Sequence, residues 1–397
     1  MSSGGGQAET MIRQSFLERQ WSVTDCPICK RPVLIKRAAS AEPCGGCLSE
    51  ISLAGIPKPN RFLTVEDVCN RVIDFYARTD FSHADPQPIV MNGSSSLFAS
   101  AAGHLFDGAI HRAEIPPKKQ VICVQPVIRL QGKDQVGVTP GFSTSFLNVA
   151  PLWWQATPQQ HVQSIHIWLD CLSSLGLFVS DFTFVFDHQA NDWGMERPVH
   201  SMMLYAFYRG LELGVINYFY DIESDGSGCA LSDLSFGIER IAFAINKTNF
   251  FDAVGPLSQV LDGSGKSILK CDTVRTMVLL SGSGVTPSNK AHGYRMRGLA
   301  NRYEQSFSSG ELQLLIPYYY TQWSRFLTLP FSLQATINTI CLEIERNAKH
   351  SILRSIDLSP TTSSDLSLPL DVFILKLYDK HPAARQRLRD FFERRRP

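Results

Sequence analysis

The sequence predicts an α+β protein. A mostly antiparallel sheet flanked by helices comes first, then an all-helical region, with a small cysteine-rich ribbon at the N-terminus. Three observations carry this. The runs "QVICVQPVIRL", "FTFVFD" and "VINYFYDI" are rich in β-branched and aromatic residues, and they alternate with helical stretches between about Pro88 and Asn246. No βαβ period repeats at regular spacing, which favours antiparallel pairing over a doubly wound parallel fold. Beyond residue 265 the chain reads as mostly helix. The composition agrees: 397 residues, 44% hydrophobic and 19% charged, suit a globular chain of two or three cores. The net charge of +1 neither demands nor excludes nucleic acid.

Taken in order, "MSSGGGQAET" reads as disordered and lacks the apolar stretch of a secretory signal. "MIRQSFLERQW" is a short amphipathic helix. Cys26-x2-Cys29 and Cys44-x2-Cys47 then form two knuckles, offering four thiolates to one ion. That set suits a closed, structural, tetrahedral Zn²⁺ site; a pair of redox dithiols is the alternative. Lys30, Arg31, Lys36 and Arg37 make the ribbon basic, which suits a solvated surface or RNA contact. "SLAGIPKPNR" is a linker, and "TVEDVCNRVIDFYART" a helix capped by Thr64. "PQQHVQSIHIWLDCLSSLG" is a further helix. The expected domains are 1–55, 56–255 and 266–397. No apolar run is long enough to span a bilayer, so no membrane partner is expected. The ten cysteines do not form an extracellular framework, and a reduced, cytoplasmic setting is expected.

The informative stretch is "SDLSFGIERIAFAINK", residues 232–247. From Ile238 to Ile245 it reads as a helix that is apolar nearly all round, so it should be buried. Yet Glu239 and Arg240 stand at its start, and a buried arginine needs a charge or a phosphate. "DGSGKS", residues 262–267, is a decoy: Val260 stands where a P-loop needs glycine, and no strand precedes it. His104, His111, His161, His166 and His188 have no metal-ligand spacing and read as surface or core residues. Trp153 and Trp154 read as core, and the six remaining cysteines as buried thiols. "RQRLRDFFERRRP" is a basic amphipathic terminus.

The helix entered through Gly237 with Glu239–Arg240 in its first turn resembles motif 3 of class II aminoacyl-tRNA synthetases. In "QVICVQPVIRLQGKDQVGVTPGFSTSFLNV" the chain resembles motif 2 of the alanyl-tRNA synthetase family, through Arg129, Gly132–Lys133, Thr144 and Phe146. The resemblance implies a class II synthetase-like sheet that binds ATP with Mg²⁺. Arg129 would hold the α-phosphate and Arg240 the γ-phosphate, with Lys133, Phe146 and Glu239 completing the ATP site. Guanidinium suits phosphate because it is permanently charged and donates two N–H groups. Asp233 and Asn217 would hold a small amino acid; from the residues alone, Asp233 could equally be a helix N-cap. "CDTVRTMVLLSGSGVTPSNKAHGYRMRGLANR" and "LSLPLDVFILKLYD" resemble the family's tRNA-recognition segments. Asn289 and Asp371 would then face the acceptor stem of alanine tRNA, with Lys290, Arg295 and Arg302 on its phosphates. The similarity covers roughly residues 60–397 and is densest at 121–149, 229–247 and 271–302.

The chain also departs from the family. Leu147 stands where the family has glutamate, Ser235 replaces the first motif 3 glycine, and Phe219 replaces a smaller valine beside the amino-acid pocket. The motif 2 loop is shorter. No editing or C-terminal oligomerising domain is expected, and an N-terminal zinc ribbon is not usual. The expectation is a truncated relative that activates a small amino acid, alanine first, and transfers it to alanine tRNA. The alternatives are an adenylating enzyme with a small-molecule or carrier-protein acceptor, and a non-catalytic tRNA-binding paralogue. The sequence leaves the oligomeric state open.

Overall fold

The structure, a computed structural model, describes residues 3–36, 43–48, 50–53, 61–91, 96–191, 198–222, 229–247, 250, 254, 265–304, 309–358 and 366–393. Arg37, linker residues 54–60 and residues 262–264 of "DGSGKS" lie outside them. The chain divides into two compact units, Met1–Pro256 and Leu257–Pro397.

The first unit is built on one nine-stranded sheet. Its strands are β1 (Ser22–Asp25), β2 (Pro32–Ile35), β3 (Ser82–Ala84), β4 (Gln120–Ile128), β5 (Ser145–Trp154), β6 (Phe182–Asn191), β7 (Val199–Tyr208), β8 (Leu211–Ile222) and β9 (Cys229–Gly237). They run in the order β1-β2-β6-β7-β8-β9-β5-β4-β3. Among the described strands only β3 and β4 pair in parallel. The antiparallel expectation therefore describes the sheet. Strands β7 and β9 are not evident from composition. In β9, "CALSDLSFG" lacks a plain apolar alternation because Asp233 and Ser235 face a cavity while Ser232 meets the buried His161 on the other side.

Helix α1 (Ser3–Glu18) corrects the expectation of a disordered start. Ala8, Ile12 and Phe16, one helical stripe, are fully buried, and Phe16 meets Trp21 and Phe184 edge-on. Gly4 and Gly5 lie against the Tyr220 ring. The cysteine hairpin is likewise not free-standing: β2 pairs with β6 and makes it the edge of the main sheet. Gly45 is needed there, since a Cβ would lie 2.2 Å from Cβ of Phe207 on β7.

Helices α2 (Val65–Tyr76) and α4 (Pro158–Ser174) both open on capping boxes, Thr64 with Asp67 and Thr157 with Gln160. They pack on the sheet through Trp168, which is fully buried between Tyr76 and Phe236. Trp154 is core as expected, stacked on Phe106. Between them, a 3-10 turn (Ala102–Phe106) leads into the short α3 (Asp107–Arg112). Helix α5 (Ile238–Asn246) continues directly from β9 with Gly237 as N-cap. Asp233 lies inside β9, so the helix-cap alternative for it is excluded.

Every described element of the second unit is helical. It comprises α6 (Gly265–Gly282), α7 (Ala291–Glu304), α8 (Ser309–Ser324), α9 (Leu333–Ser355), α10 (Leu370–Lys380) and α11 (Arg385–Glu393). Gly265–Lys266–Ser267 begin α6 itself, not a phosphate-binding loop. Arg275 on α6 lies over the buried Trp323 ring at 4.4 Å, and the indole N–H donates back to the Arg275 carbonyl. No described helix is long and apolar enough to cross a membrane.

Candidate active site and metal centre

Strand register assembles a cavity of about 600 Å³ on one face of the sheet. Met203, Asn217 and Asp233 are cross-strand neighbours on β7, β8 and β9. One step along, Ser201, Phe219 and Leu231 form a second row. Side chains alternate with period two, so both rows face the same side, together with Phe146 and Asn148 of β5. The turn at 100–107 and the start of α5 close the remaining walls.

Arg129 follows the last residue of β4. Its Nε donates to the Ser100 carbonyl at 2.8 Å, and its guanidinium lies 5.2 Å from the Phe146 ring centroid. The side chain is exposed, but to the cavity. Desolvation by the walls and the nearby Arg240 both push its pKa down. Arg240 is half-buried. Its Nε donates to the Gly141 carbonyl at 2.8 Å, and one terminal nitrogen to the Glu212 carbonyl and carboxylate at 2.9 and 3.0 Å. Arg240 thus meets a loop carbonyl and a half-exposed glutamate, with Phe142 beneath it. Two cations that repel each other face one cavity, which favours an anion between them.

Asp233 is 4% exposed, and burial pushes its pKa up to about 6. Ser235 Oγ, Arg129 and His104 all hold it below what burial alone would give; the Ser235 hydroxyl donates to it at 2.6 Å. The serine that departs from the family's glycine is therefore a partner of the aspartate. Gly103 makes room opposite: a Cβ there would lie 3.1 Å from Asp233 Oδ2. Asn217 is also buried, and its Oδ1 has no hydrogen-bond partner among the described residues. A buried carbonyl oxygen left unpaired beside a buried carboxylate presents two acceptors to a ligand donor. Phe219 lines the cavity one row away.

Glu239 is placed differently from the rest. It is 1% exposed, and both carboxylate oxygens accept from the Leu147 N–H, at 3.1 and 3.0 Å. That N–H lies one residue beyond the β5–β9 ladder, which ends at Asn148↔Gly237. Glu239 thus ties α5 to β5 while also bordering the cavity. The Leu147 side chain itself is buried and does not line the cavity. Lys133 is exposed on the loop after Gly132 and is not among the cavity-lining residues.

His104, read from sequence as a surface or core residue, is neither. It lines the cavity with Ser100 and Asp107 and hydrogen-bonds to both. The i, i+4 and i, i+3 spacings were the available signal, but they acquire meaning only with the turn's geometry. His161, by contrast, is core, against Ser232.

At the sheet edge, the sulfurs of Cys26, Cys29, Cys44 and Cys47 all lie within 4.8 Å of one another. Burial works against ionisation of Cys26, but backbone N–H groups, led by that of Cys44 at 3.3 Å, bring its pKa down to about 6. Four converging sulfurs with main-chain donors on one of them fit a tetrahedral Zn²⁺ site. Such a site would lock the β1–β2 hairpin against Phe207 and Val185.

In the second unit, Asn289 accepts from Arg297 just before α7, and Asp371 is exposed in the first turn of α10. Both helices pack on α9. Lys290 is exposed, Arg295 lies 6.0 Å from the Tyr294 ring centroid, and Arg302 is in the last turn of α7.

No protein-family model matches the chain. Curated relatives are similar to it at low identity. An alanine–tRNA ligase of Thermofilum pendens is 20% identical, over 92% of this chain and 48% of the relative. One of Saccharolobus islandicus is 20% identical, over 72% and 39%. One of Metallosphaera sedula is 25% identical over 34% and 15%. These matches relate the chain distantly to alanine–tRNA ligases. The chain spans less than half the length of the relatives it matches.

Two predictions come from these geometries. Metal analysis of protein purified under reducing conditions should find about one zinc per chain, and Cys26→Ser with Cys44→Ser should lose it. The second concerns Asp233. Its folded pKa of about 6 lies above the usual 3.8, so the protonated acid is the form the fold prefers. That contribution is fully present below about pH 4 and is lost as pH rises through about 6. Asp233→Asn should therefore raise stability by roughly 2–3 kcal/mol at pH 7 and leave it unchanged near pH 3.5 in denaturant titrations.

Proposed function

We propose that this cavity activates a small amino acid, alanine first, with ATP to form an aminoacyl-adenylate, and that the acyl group passes to alanine tRNA. One observation carries this: the cavity holds two arginines and, across from them, a buried carboxylate beside an unpaired amide oxygen. That is complementary to a polyphosphate joined to an ammonium-bearing carboxylate. The relationship to alanine–tRNA ligases points the same way.

In this reading Arg129 takes the α-phosphate and Arg240 the γ-phosphate. Phe146, already under the Arg129 guanidinium, supplies a plate for adenine. Asp233 and the Asn217 oxygen accept from the α-ammonium, which brings the carboxylate into line with the phosphorus. The ammonium also favours the ionised form of Asp233, because a cation at hydrogen-bond distance offsets the burial. Mg²⁺ bound with ATP supplies further charge neutralisation. Glu212 and Glu239 already serve Arg240 and the Leu147 N–H, so their first effect is to fix the geometry. Asn289 and Asp371 read the acceptor stem, with Lys290, Arg295 and Arg302 on phosphates. A small-molecule or carrier-protein acceptor is the second reading. It is favoured by the engagement of the Asn289 oxygen with Arg297, which leaves less of that amide for a base edge.

Amino-acid-dependent ATP–pyrophosphate exchange tests activation. Arg129→Ala should lower it at least about a hundredfold. Arg240→Ala should do the same and also loosen the loop at Gly141. Wild-type rates in either variant would sink the assignment. For transfer, Asn289→Ala and Asp371→Ala should each cost about 1–3 kcal/mol in charging of alanine tRNA while exchange is untouched. A protein that makes adenylate but never charges tRNA supports the second reading.

A further inference from the structure

Activation as described leaves one cluster of the cavity unused. Ser100 Oγ lies 3.1 Å from His104 Nε2, and His104 Nδ1 lies 3.1 Å from Asp107 Oδ2. All three side chains line the cavity. The ring carries a hydroxyl on one nitrogen and a carboxylate on the other, the arrangement of nucleophile, base and orienting group. The carboxylate accepts from Nδ1–H, which assigns the tautomer and leaves the Nε2 lone pair to the Ser100 hydroxyl. The imidazole and carboxylate are only 16% and 18% exposed, so this is not a solvated surface pair.

Its position gives the cluster a task. The Ser100 carbonyl accepts from Arg129 Nε. The serine is thus next to the guanidinium assigned to the α-phosphate, and in an aminoacyl-adenylate the reactive carbonyl is one oxygen away from that phosphorus. The Asp233 carboxylate, assigned to the amino group, faces the same turn through Gly103. The hydroxyl and its base therefore stand on the wall between the two ends of the bound intermediate.

The geometry points to Ser100 as an acyl acceptor: the aminoacyl group passes from the adenylate to Ser100 Oγ as an ester before it reaches the final acceptor. The inference rests on the adenylate-forming reading of the cavity. In the first step His104 Nε2 takes the hydroxyl proton as Oγ attacks the acyl carbon. The bond from that carbon to the phosphate oxygen breaks, AMP leaves with the electron pair, and the imidazolium releases its proton to the departing phosphate or to solvent, so His104 is again a neutral base. In the second step a hydroxyl, thiol or amine of the acceptor loses its proton to His104 and attacks the ester carbon, and Ser100 recovers a proton from the imidazolium. No oxidation occurs, and the energy of the ester comes from the anhydride. Ser100 and His104 are catalytic residues here, and Asp107 is a positioning residue.

The test uses the full chain with ATP, Mg²⁺ and each amino acid in turn, quenched in acid and read by intact and peptide mass spectrometry, with pyrophosphate exchange followed in parallel. The amino acid that supports exchange should add one aminoacyl residue to the Ser100 peptide, removable by alkaline hydroxylamine. Ser100→Ala should lose the adduct. Ser100→Cys should regain it as a thioester that hydroxylamine cleaves at neutral pH, a change that a merely structural serine would not produce. His104→Gln should slow adduct formation about a hundredfold. Asp107→Asn should slow it as well, and Asp107→Glu should restore much of the rate. Exchange without an adduct, or an adduct that survives Ser100→Ala, overturns Ser100 as acceptor and leaves activation standing. No exchange with any amino acid removes activation and this step with it.

Discussion

A carboxylate buried in the middle of a sheet constrains everything around it. Asp233 is at the centre of β9, paired to Asn217 on one side and Leu152 on the other. Burial opposes its charge, and the surroundings are arranged in response. Ser235 donates to it, Arg129 and His104 act on it through space, and Gly103 withdraws any side chain from its second oxygen. What remains unsatisfied is on the cavity side: the Asn217 oxygen, without a partner among the described residues, and a carboxylate whose charge burial opposes. A site with this balance is more comfortable occupied by a cation than empty.

The cationic end is organised by the opposite problem. Arg129 and Arg240 face one cavity and repel, so each is tethered by neutral or acidic oxygens: the Ser100 carbonyl for one, the Gly141 and Glu212 oxygens for the other. Carbonyl tethers fix a guanidinium without cancelling its charge. The N–H groups not used in tethering are what a phosphate would find. Glu239, next to Arg240 in sequence, serves the scaffold instead, closing the β5 ladder where β9 turns into helix. Two adjacent residues of one helical turn thus point to different tasks.

The cysteine hairpin extends the same sheet, through β2 and β6, to the strands that carry the cavity. Gly45 lets the second knuckle press on Phe207, close to the β7 bulge at Ala206–Phe207. A metal there would stiffen the edge of the sheet whose next strands hold Met203 and Asn217. This is a reason for the hairpin to be fused to the sheet and not strung on a linker.

By itself the sequence determined the local features: the helix of residues 238–245, the Thr64 cap, the buried strands β4, β6 and β8, the four converging thiols and the helical second half. Each is written in near-neighbour chemistry, as periodicity, caps or knuckle spacing. The resemblance to a synthetase family singled out Arg129, Asn217, Asp233 and Arg240, and tertiary structure brings all four to one cavity. The sequence could not show that α1 begins at Ser3, because a glycine run has no helical signal until the face of Tyr220 holds it. Nor could it decide between cap and pocket for Asp233, since that depends on whether the residue lies in β9 or at the start of α5. It read Leu147 as a lost carboxylate, whereas Glu239 from another element meets that position's N–H. Most of all, it passed over His104, because a histidine three and four residues from an aspartate and a serine is unremarked until a turn folds them against the same wall. These are long-range facts, set by strand register and by which side chains share a desolvated space, and no local pattern encodes them.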